Sequence, residues 1–410
     1  MVDGMSFLCK SVKTKNGEPR VKLIAIAKDE SAYLAEWIYH HHYFGVDSFD
    51  IHVNNTADNT IEVLNKLKER FDINIIDSNG LYQQYGVHFQ TQAYEMSLKG
   101  LNKKEFTHVG FLDVDEFWTP ADFSKSIKDI LIKNNQFDSL IFSWVIHVDE
   151  YEFSRCFRPT IKVVNDHHVK CFAKTSSSFK ASIHNIVGES LDYGDCDGVS
   201  VRFSDETNSK LESIPKVLPN AFILHRAYRS ELEYVSALAR GRPNGSRFKN
   251  NRKGYYIPND KFYDFVINGD ALKRYYLGLD IIFHDLELDS LIAQAQRYIK
   301  DRYRSVLKLA TDKTTELEKQ QLVTALGNIK IPEVNIIKNK LAHELKDKIE
   351  ENMQRKKHID AIRDAAMFFD KVDDGDVAYV LMELAHKLRP EGKFIEQKFK
   401  EFSQRRSIDD

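Results

Sequence analysis

One apolar, β-prone segment ends abruptly in three carboxylates, and it constrains the fold more than any other part of the chain. It runs from Phe106 to Trp118 and carries Asp113, Asp115 and Glu116. A strand that buries its apolar side chains cannot also bury three unpaired charges, because desolvating each charge costs on the order of several kcal/mol. We therefore expect the carboxylates at the carboxyl end of the strand, in the crevice where open α/β sheets bind ligands.

The spacing of the two aspartates indicates a cation site. Asp113 and Asp115 stand one residue apart, and carboxylates so placed can hold a hard divalent cation beside a phosphate. The alternative is that they cap the next helix or form a turn. The preceding strand, the third acid and the flanking aromatic residues favour the cation site.

Strands and helices alternate along the N-terminal part of the chain, which predicts a doubly wound, mostly parallel α/β sheet. The predicted strands are 20–27, 49–53, 73–76, the strand before Asp113, and 139–146, and a later one ends near His225. Polar loops follow three of them, at Lys28–Glu30, Asn54–Asp58 and Asp113–Glu116. The carboxyl ends of parallel strands share one sheet edge, so a composite site is expected there.

Beyond about residue 281 the chain changes character. Glycine becomes scarce and amphipathic helical patterning dominates, with predicted helices at 288–309, 315–326, 336–355, 359–369, 377–388 and 394–402. We predict two domains, an α/β domain at 1–280 and an all-α C-terminal domain at 281–410. Partner binding or self-association through the C-terminal helices stays open, because nothing in the pattern specifies a partner.

Composition excludes several classes of protein. The formal net charge of −2 argues against a generic nucleic-acid binder. No apolar run approaches the 18 residues or so of a membrane span, and the N-terminus lacks a signal-peptide pattern. The four cysteines are scattered without a C-x-x-C pair, which is typical of reduced thiols. These features predict a cytoplasmic protein, with peripheral contact to a membrane-bound acceptor left open.

The motifs together resemble the glycosyltransferase 2-like family, whose members have the GT-A fold. The resemblance covers roughly residues 20–245. Its strongest element is the signature Leu-Asp-x-Asp-Glu-Phe, and the other matches are Lys28-Asp29-Glu30, Tyr33-Leu34-Ala35-Glu36-Trp37, Gly45-Val46, the loop beginning at Asn54, His225 to Ser230, and Arg240-Gly241. Two positions depart from the family pattern. Asp29 replaces the usual Asn, and Asn54 replaces the usual Asp.

The resemblance implies transfer of a sugar from a nucleotide-diphosphate sugar, with a UDP-sugar favoured, to a glycan or glycolipid, as in polysaccharide biosynthesis. It implies Mn²⁺ or Mg²⁺ as the cofactor. Asp115 is the expected first metal ligand, while Asp113 binds the metal through water or holds the ribose. His225 is the expected late metal ligand, with His184 as the alternative. The expected donor contacts are Lys28, Glu30, Asn54, Asn55 and Asp113.

An inverting transferase also needs a general base that deprotonates the acceptor hydroxyl. Asp149 and Glu150 follow a predicted strand and are the first candidates. Asp205 and Glu206 are equally acceptable by residue type. A retaining enzyme would need no such base, and the sequence does not decide between the two outcomes.

Two rival functions remain from the sequence. A sugar-nucleotide nucleotidyltransferase also uses a doubly wound sheet with metal-binding aspartates, but it should carry a glycine-rich loop after the first strand, and none follows Ala27. A non-catalytic interaction protein could use the helical C-terminal region, with a decayed transferase domain. The intact pair of aspartates argues against decay.

Overall fold

The structure is a computed structural model that describes residues 17–149, 151–241, 247–249, 251–256, 261–312, 314–371 and 374–409. The strands are β1 Val21–Ala27, β2 Ser48–Val53, β3 Ile73–Asp77, β4 His108–Phe111, β5 Glu116–Pro120, β6 Ser139–His147, β7 Thr160–Lys174, β8 Lys180–Ala181, β9 Ile186–Val187, β10 Tyr193–Gly194, β11 Ala221–His225 and β12 Tyr263–Val266. The helices are α1 Ser31–Tyr43, α2 Thr60–Leu67, α3 Asn79–Tyr85, α4 Phe89–Gly100, α5 Ile127–Lys133, α6 Glu231–Leu238, α7 Gly269–Asp285, α8 Leu288–Thr311, α9 Glu316–Ala325, α10 Pro332–Lys371, α11 Gly375–Leu388 and α12 Lys393–Asp409.

A mixed, mostly parallel sheet forms the centre of the N-terminal part, as the alternation of elements predicts. Its strand order within the described residues is β3-β2-β1-β4-β7-β6-β11-β5. The strands β3, β2, β1 and β4 run parallel, β6 and β11 are parallel to each other, and β7 and β5 run against their neighbours. The predicted fold class, a doubly wound, mostly parallel α/β sheet followed by a helical region, is confirmed.

Helices pack on both faces of this sheet: α1 and α2 share a core cluster with Leu23 and Ala25 of β1, while Tyr94 of α4 shares another cluster with Ile24, which points to the opposite face. Helix α1 buries Leu34, Trp37 and Ile38, and the Trp37 indole donates to the backbone oxygens of Asp113, at 3.1 Å, and Glu116, at 2.8 Å. The first helix therefore supports the turn that carries the carboxylates. This fixes the backbone of the candidate site by buried packing and hydrogen bonds.

The chain separates into compact units later than we predicted. The first unit contains residues 1–313 and 324–334, and the second contains 314–323 and 335–410. The predicted boundary at 280/281 falls inside α7, and both α7 and α8 belong to the first unit. Apolar residues of α7 and α8 join the main core, among them Tyr275, Leu279 and Ile292. The change in composition near residue 281 therefore does not coincide with the boundary between the two compact units.

The helical C-terminal region is largely as predicted, with one difference. Residues 336–369 were predicted as two helices, but they lie within the single helix α10. The polar residues from Gln354 to His358 contain neither glycine nor proline, so nothing in the backbone chemistry interrupts the helix there. In the part of the chain that the structure describes, no helix has the length and apolarity that a membrane span requires.

Candidate functional site

The Asp113–Glu116 motif lies in the connection between β4 and β5. Strand β5 pairs with β11 so that Glu116 faces His225, and the Arg226 backbone N–H donates to the Asp115 backbone oxygen at 2.8 Å. This register places Asp115 next to His225, although 110 positions separate them in the sequence. The loop and the strand end are thus held together by backbone pairing, independently of their side chains.

Asp115 and His225 form the predicted metal pair. Their Oδ1 and Nε2 atoms are 3.7 Å apart, with the side chains 27% and 10% exposed. Burial alone would raise the pKa of Asp115 and lower that of His225, but the attraction across the pair prevails. The pKa of Asp115 is therefore held well below its usual value and the pKa of His225 is raised. Without a metal ion, the two side chains form a largely buried carboxylate–imidazole contact.

The third predicted ligand, Asp113, has different partners. Its Oδ2 atom lies 3.2 Å from the Lys170 ammonium, and its Oδ1 accepts a hydrogen bond from Gln90 at 3.1 Å. The fully buried Lys170 also lies 3.3 Å from Glu116, which accepts the Asp113 backbone N–H at 2.8 Å. Asp113 is 36% exposed and so remains accessible to a ligand, but its position is set by Lys170.

The Lys170 ammonium thus lies close to two carboxylates, those of Asp113 and Glu116. Burial raises the pKa of Glu116 to about 7, because Lys170 only partly offsets the desolvation and Asp113 adds repulsion. Burial lowers the pKa of Lys170, but Asp113 and Glu116 outweigh it, so that pKa is raised and Lys170 stays charged. Glu116 therefore orients the motif, as its side-chain contact with the Asp113 backbone shows, and it has no direct path to the open side of the site.

The described donor set fits a divalent cation of the Mg²⁺ or Mn²⁺ type. Such ions keep several waters and use one or two protein carboxylates together with substrate phosphates. Asp115 and His225 supply two ligand atoms, and the His225 Nδ1 atom is buried without a hydrogen-bond partner among the described residues. Asp113 would contribute through its exposed edge and not as a third close ligand.

The two donor loops are joined to each other at the same sheet edge. Lys28–Glu30 follows β1, and Asn54 follows the neighbouring parallel strand β2. The Asp29 carboxylate accepts the Ala57 backbone N–H at 2.7 Å, and the Asp29 N–H donates to the Thr56 hydroxyl at 3.0 Å. Asn54 is buried, and the Asn55 backbone N–H donates to the Asn79 side chain at 2.6 Å.

The backbone explains one departure from the family motif. Asp29 has φ 52° and Asn55 has φ 44°, in the left-handed region that Asn and Asp tolerate better than other non-glycine residues. The usual Asn and the Asp29 found here satisfy the same backbone requirement. The substitution therefore preserves the shape of the loop, while it adds a negative charge.

Arginines neutralise the acids of the first loop. Glu30 pairs with Arg240 at 2.6 Å and with Arg229 at 3.2 Å, and the Lys28 ammonium donates to the Arg240 backbone oxygen at 2.8 Å. Arg302 reaches Asp29 at 3.0 Å from helix α8. The loop after β1 is thus supported by a helix that we had assigned to the C-terminal domain.

A surplus of positive charge surrounds the acids. The pKa of Lys249 lies well below its usual value, first because of burial and then because of repulsion by Arg240 and Arg252, while Asp115 and Glu30 act in the opposite direction. The pKa of Lys28 is also lowered, first by burial, with Arg240 and Arg302 contributing. Repulsion among these cations would be relieved by a bound polyanion. The rest of the predicted basic loop, residues 242–246, lies outside the described residues.

Asp149, the predicted general base, is instead the ion-pair partner of the buried Arg226. Asp149 is buried and accepts two hydrogen bonds from Arg226, from Nη2 at 2.6 Å and from Nε at 3.1 Å. Burial raises the pKa of Asp149, but Arg226 and then His147 outweigh it, so the pKa is lowered. A carboxylate with a lowered pKa and a fixed arginine partner is poorly suited to accept a proton. Glu150 lies outside the described residues.

The other candidates are arranged as follows. The Asp205 carboxylate accepts hydrogen bonds from its own loop, including those of the Ser209 and Lys210 backbone N–H groups at 2.9 Å each, and so it stabilises a turn. The His184 ring packs on Trp144 with centroids 5.2 Å apart. Trp144 also contacts His225 at 4.0 Å. The measured approach to Asp115 favours His225 over His184 as the metal ligand.

Sequence reasoning missed Lys170, Arg302 and Trp144. Lys170 had a detectable signal, because it is a lone charge within the run Val169-Lys170-Cys171-Phe172, where an unpaired ammonium would be costly. Arg302 had no signal, because it lies in an amphipathic helix rich in charges. Its role depends on a contact between residues 273 positions apart.

Comparisons with known proteins identify one family model that matches part of the chain. Residues 24–204, less than half of the chain, match the family model of glycosyltransferase family 92. No curated protein matches the chain. Among solved structures, the crystal structure of S. aureus TarS 1–349 in complex with UDP is 12% identical with a TM-score of 0.23, covering 43% of this chain and 60% of that chain. The crystal structure of S. aureus TarS 1–349 is 12% identical with a TM-score of 0.23, covering 75% and 79%.

The chain thus spans less than two thirds of the first TarS chain, and likenesses this low carry no argument about chemistry. The family match is the informative comparison. It does not single out the 2-like family whose motifs the sequence resembles. The predicted enzyme class is confirmed at the coarser level: over residues 24–204 the chain is similar to the glycosyltransferases of family 92.

Proposed function

We propose that this protein is a metal-dependent glycosyltransferase that moves a sugar from a nucleoside-diphosphate sugar, with UDP-sugars as the first donors to test, to a glycan or glycolipid acceptor. One observation carries the proposal. The Asp115 and His225 side chains lie 3.7 Å apart, and the chain continues from His225 to the buried Arg229, which lies 3.2 Å from Glu30 in the loop after β1. A cation site and an anion site so placed match a diphosphate with its counterion.

Different residues of the site would bind the metal ion, the diphosphate, the ribose and the nucleoside of the donor. Asp115 and His225 would hold Mn²⁺ or Mg²⁺, which supplies stabilisation of the negative charge that develops on the leaving diphosphate. Lys249 and Arg252 act on the same charge from the protein side. Asp113, fixed by Lys170, has an exposed carboxylate edge available to the ribose or to a metal-bound water. The joined loops at Asp29 and Asn54 border the nucleoside.

The finer assignments rest on the motifs. The Leu112–Phe117 signature and the Tyr33–Trp37 helix favour the 2-like type of glycosyltransferase, and the scattered thiols favour a cytoplasmic enzyme. A glycan or glycolipid acceptor follows from the same resemblance. The rival nucleotidyltransferase gains no support from the loop after β1, where Glu30 occupies both Arg229 and Arg240.

The test is a screen of nucleotide sugars for Mn²⁺-dependent release of the nucleoside diphosphate, with water as the acceptor. The proposal expects release from at least one UDP-sugar, lost on chelation and in Asp115→Asn. The matched control is Asp301→Asn, an exposed aspartate of α8 that pairs with Arg304. Absence of release from every donor, together with pyrophosphate release from UTP and a sugar phosphate, would establish the nucleotidyltransferase instead.

A further inference from the structure

A carboxylate–histidine pair that the sequence analysis did not single out lies beside the metal pair. The His168 Nδ1 and Asp166 Oδ1 atoms are 2.6 Å apart, and the His168 backbone N–H donates to the same oxygen at 2.8 Å. The side chains are 27% and 33% exposed. When Nδ1–H donates to a carboxylate, the imidazole is held in one tautomer and its Nε2 lone pair is left to accept a proton.

A bulge in the sheet brings His168 against Trp144. The register of β6 and β7 shifts between Ser143, which pairs with Val169, and Val145, which pairs with Asn165. The single residue Trp144 therefore faces three residues of β7, Asp166, His167 and His168. Such bulges re-aim side chains and are frequent next to active sites.

Three contacts connect His168 to the carboxylate motif. Its ring stacks on Trp144 with centroids 4.8 Å apart and planes inclined by 27°. Trp144 also contacts His225, at 4.0 Å. Lys170 follows two residues later on the same strand, so it shares a sheet face with His168, and it holds Asp113 at 3.2 Å. His168 is thus separated from the metal pair by one aromatic ring.

The geometry distinguishes this pair from a metal cluster. Ligand atoms of Asp166, His167 and His168 lie within 4.8 Å of one another, which by distance alone would suit a metal ion. The Asp166 and His168 atoms closest to each other already share a hydrogen bond, however, and a ligand histidine that bonds a carboxylate uses its other nitrogen for the metal. The arrangement is that of an oriented histidine with one free nitrogen.

We propose that His168, oriented by Asp166, is the general base that activates the acceptor in the reaction proposed above, on which this inference rests. The acceptor O–H proton passes to His168 Nε2 while its oxygen forms a bond to the anomeric carbon of the donor sugar. The bond from that carbon to the diphosphate oxygen breaks, and its electron pair leaves with the diphosphate. Direct displacement of this kind inverts the anomeric configuration.

The test compares His168→Gln, Asp166→Asn and the matched neighbour His167→Gln in Mn²⁺-dependent hydrolysis of the UDP-sugar found in the screen. Removing a general base typically lowers kcat by about 10²–10⁴-fold, so we expect that loss in His168→Gln with an unchanged Kd for UDP and Mn²⁺. An orienting partner contributes about 10–100-fold, which we expect for Asp166→Asn. His167→Gln should behave as the wild type.

Two further measurements separate a base from a merely structural residue. Imidazole added to His168→Ala should restore part of kcat, and the sugar released by the wild type should have the inverted anomeric configuration. Wild-type kcat in a folded His168→Gln variant, retention of configuration, or an equal loss in His167→Gln with release of bound metal would each overturn the proposal. Failure of the wild type on every donor would instead overturn the proposed function.

Discussion

The two compact units differ in how deeply their paired charged side chains are buried. In the first unit, charged groups are buried together, as in Arg226 with Asp149, which are 3% and 1% exposed. In the second unit, many ion pairs lie on helix surfaces one turn apart, as in Lys346 with Glu350, which are 71% and 61% exposed. Burying an ion pair costs free energy that its attraction barely offsets, whereas a surface pair costs and contributes little.

This difference indicates where function lies. Buried charges are poor choices for stability, so a region that concentrates them has another use for them. In the first unit they surround the Asp113–Glu116 turn and the two donor loops. The second unit has the amphipathic helices of an ordinary helical domain, with its core formed by residues such as Ala366, Met382 and Ile395.

The largest expected effect follows from removing the metal ligand. Asp115→Ala should lower Mn²⁺-dependent UDP release by more than about 100-fold, the upper range for changes to residues that only support a metal ligand. Its free energy of unfolding should stay close to that of the wild type, because His225, unlike an arginine, can lose its proton when its carboxylate partner is removed. Urea denaturation and UDP release, measured on the same preparation, check both parts. Wild-type-like turnover by the folded variant would contradict the assignment.

The next effect concerns the buried pair of Arg226 and Asp149. Arg226→Met should destabilise the first unit by about 3–5 kcal/mol, because it leaves a buried carboxylate uncompensated. The double variant Arg226→Met/Asp149→Leu should recover most of this loss. Denaturant unfolding of the three proteins tests the claim. If the single variant is as stable as the wild type, the buried charges of the first unit do not behave as the comparison requires.

A smaller effect is expected from helix α8, where two arginines provide a matched comparison. Arg302 is 11% exposed and holds Asp29, while Arg304 is 73% exposed and pairs within its own helix. Arg302→Met should weaken UDP binding several-fold, since an unsatisfied buried group costs about 1–3 kcal/mol, and Arg304→Met should leave the Kd unchanged. Equal effects in the two variants would show that α8 does not support the donor loop.

The smallest effect should come from the second unit. Lys319 and Glu344 are 24% and 38% exposed, with 2.5 Å between their charged atoms. Lys319→Met should change the free energy of unfolding by about 0–1 kcal/mol, as is usual for exposed pairs, and should not alter UDP binding. Thermal and denaturant unfolding measure this. A loss as large as that of Arg226→Met would remove the contrast between the two units.

Local sequence patterns predicted the elements of the fold and the strand-end position of the acids. The apolar spacing of Leu34, Trp37 and Ile38 and the glycine at position 45 are local features from which a helix at about Ser31–Tyr43 is predicted, and the structure has those bounds. The approach of His225 to Asp115 was anticipated through a family resemblance. Physical reasoning on the sequence alone gave only that both follow strands.

The remaining features depend on long-range register. Lys170 reaches the motif because β7 inserts between β4 and β6, and the Asp166–His168 pair faces Trp144 because of a bulge that no residue type announces. Arg302 shows the same limit for helices. The amphipathic pattern of α8 predicts that one face of the helix is buried, but it does not identify the surface on which that face packs. We had assigned the helix to a separate domain because the composition changes near residue 281.

The central claim is that Asp115 and His225 hold a divalent cation that binds the donor diphosphate. Isothermal titration calorimetry of UDP, with and without Mn²⁺, tests it most directly on the full chain. We predict metal-dependent binding in the wild type and in Asp301→Asn, and loss of the metal dependence in folded Asp115→Asn and His225→Gln. UDP binding that is equally tight with and without Mn²⁺ in the wild type, or unchanged metal dependence in both site variants, would contradict the account.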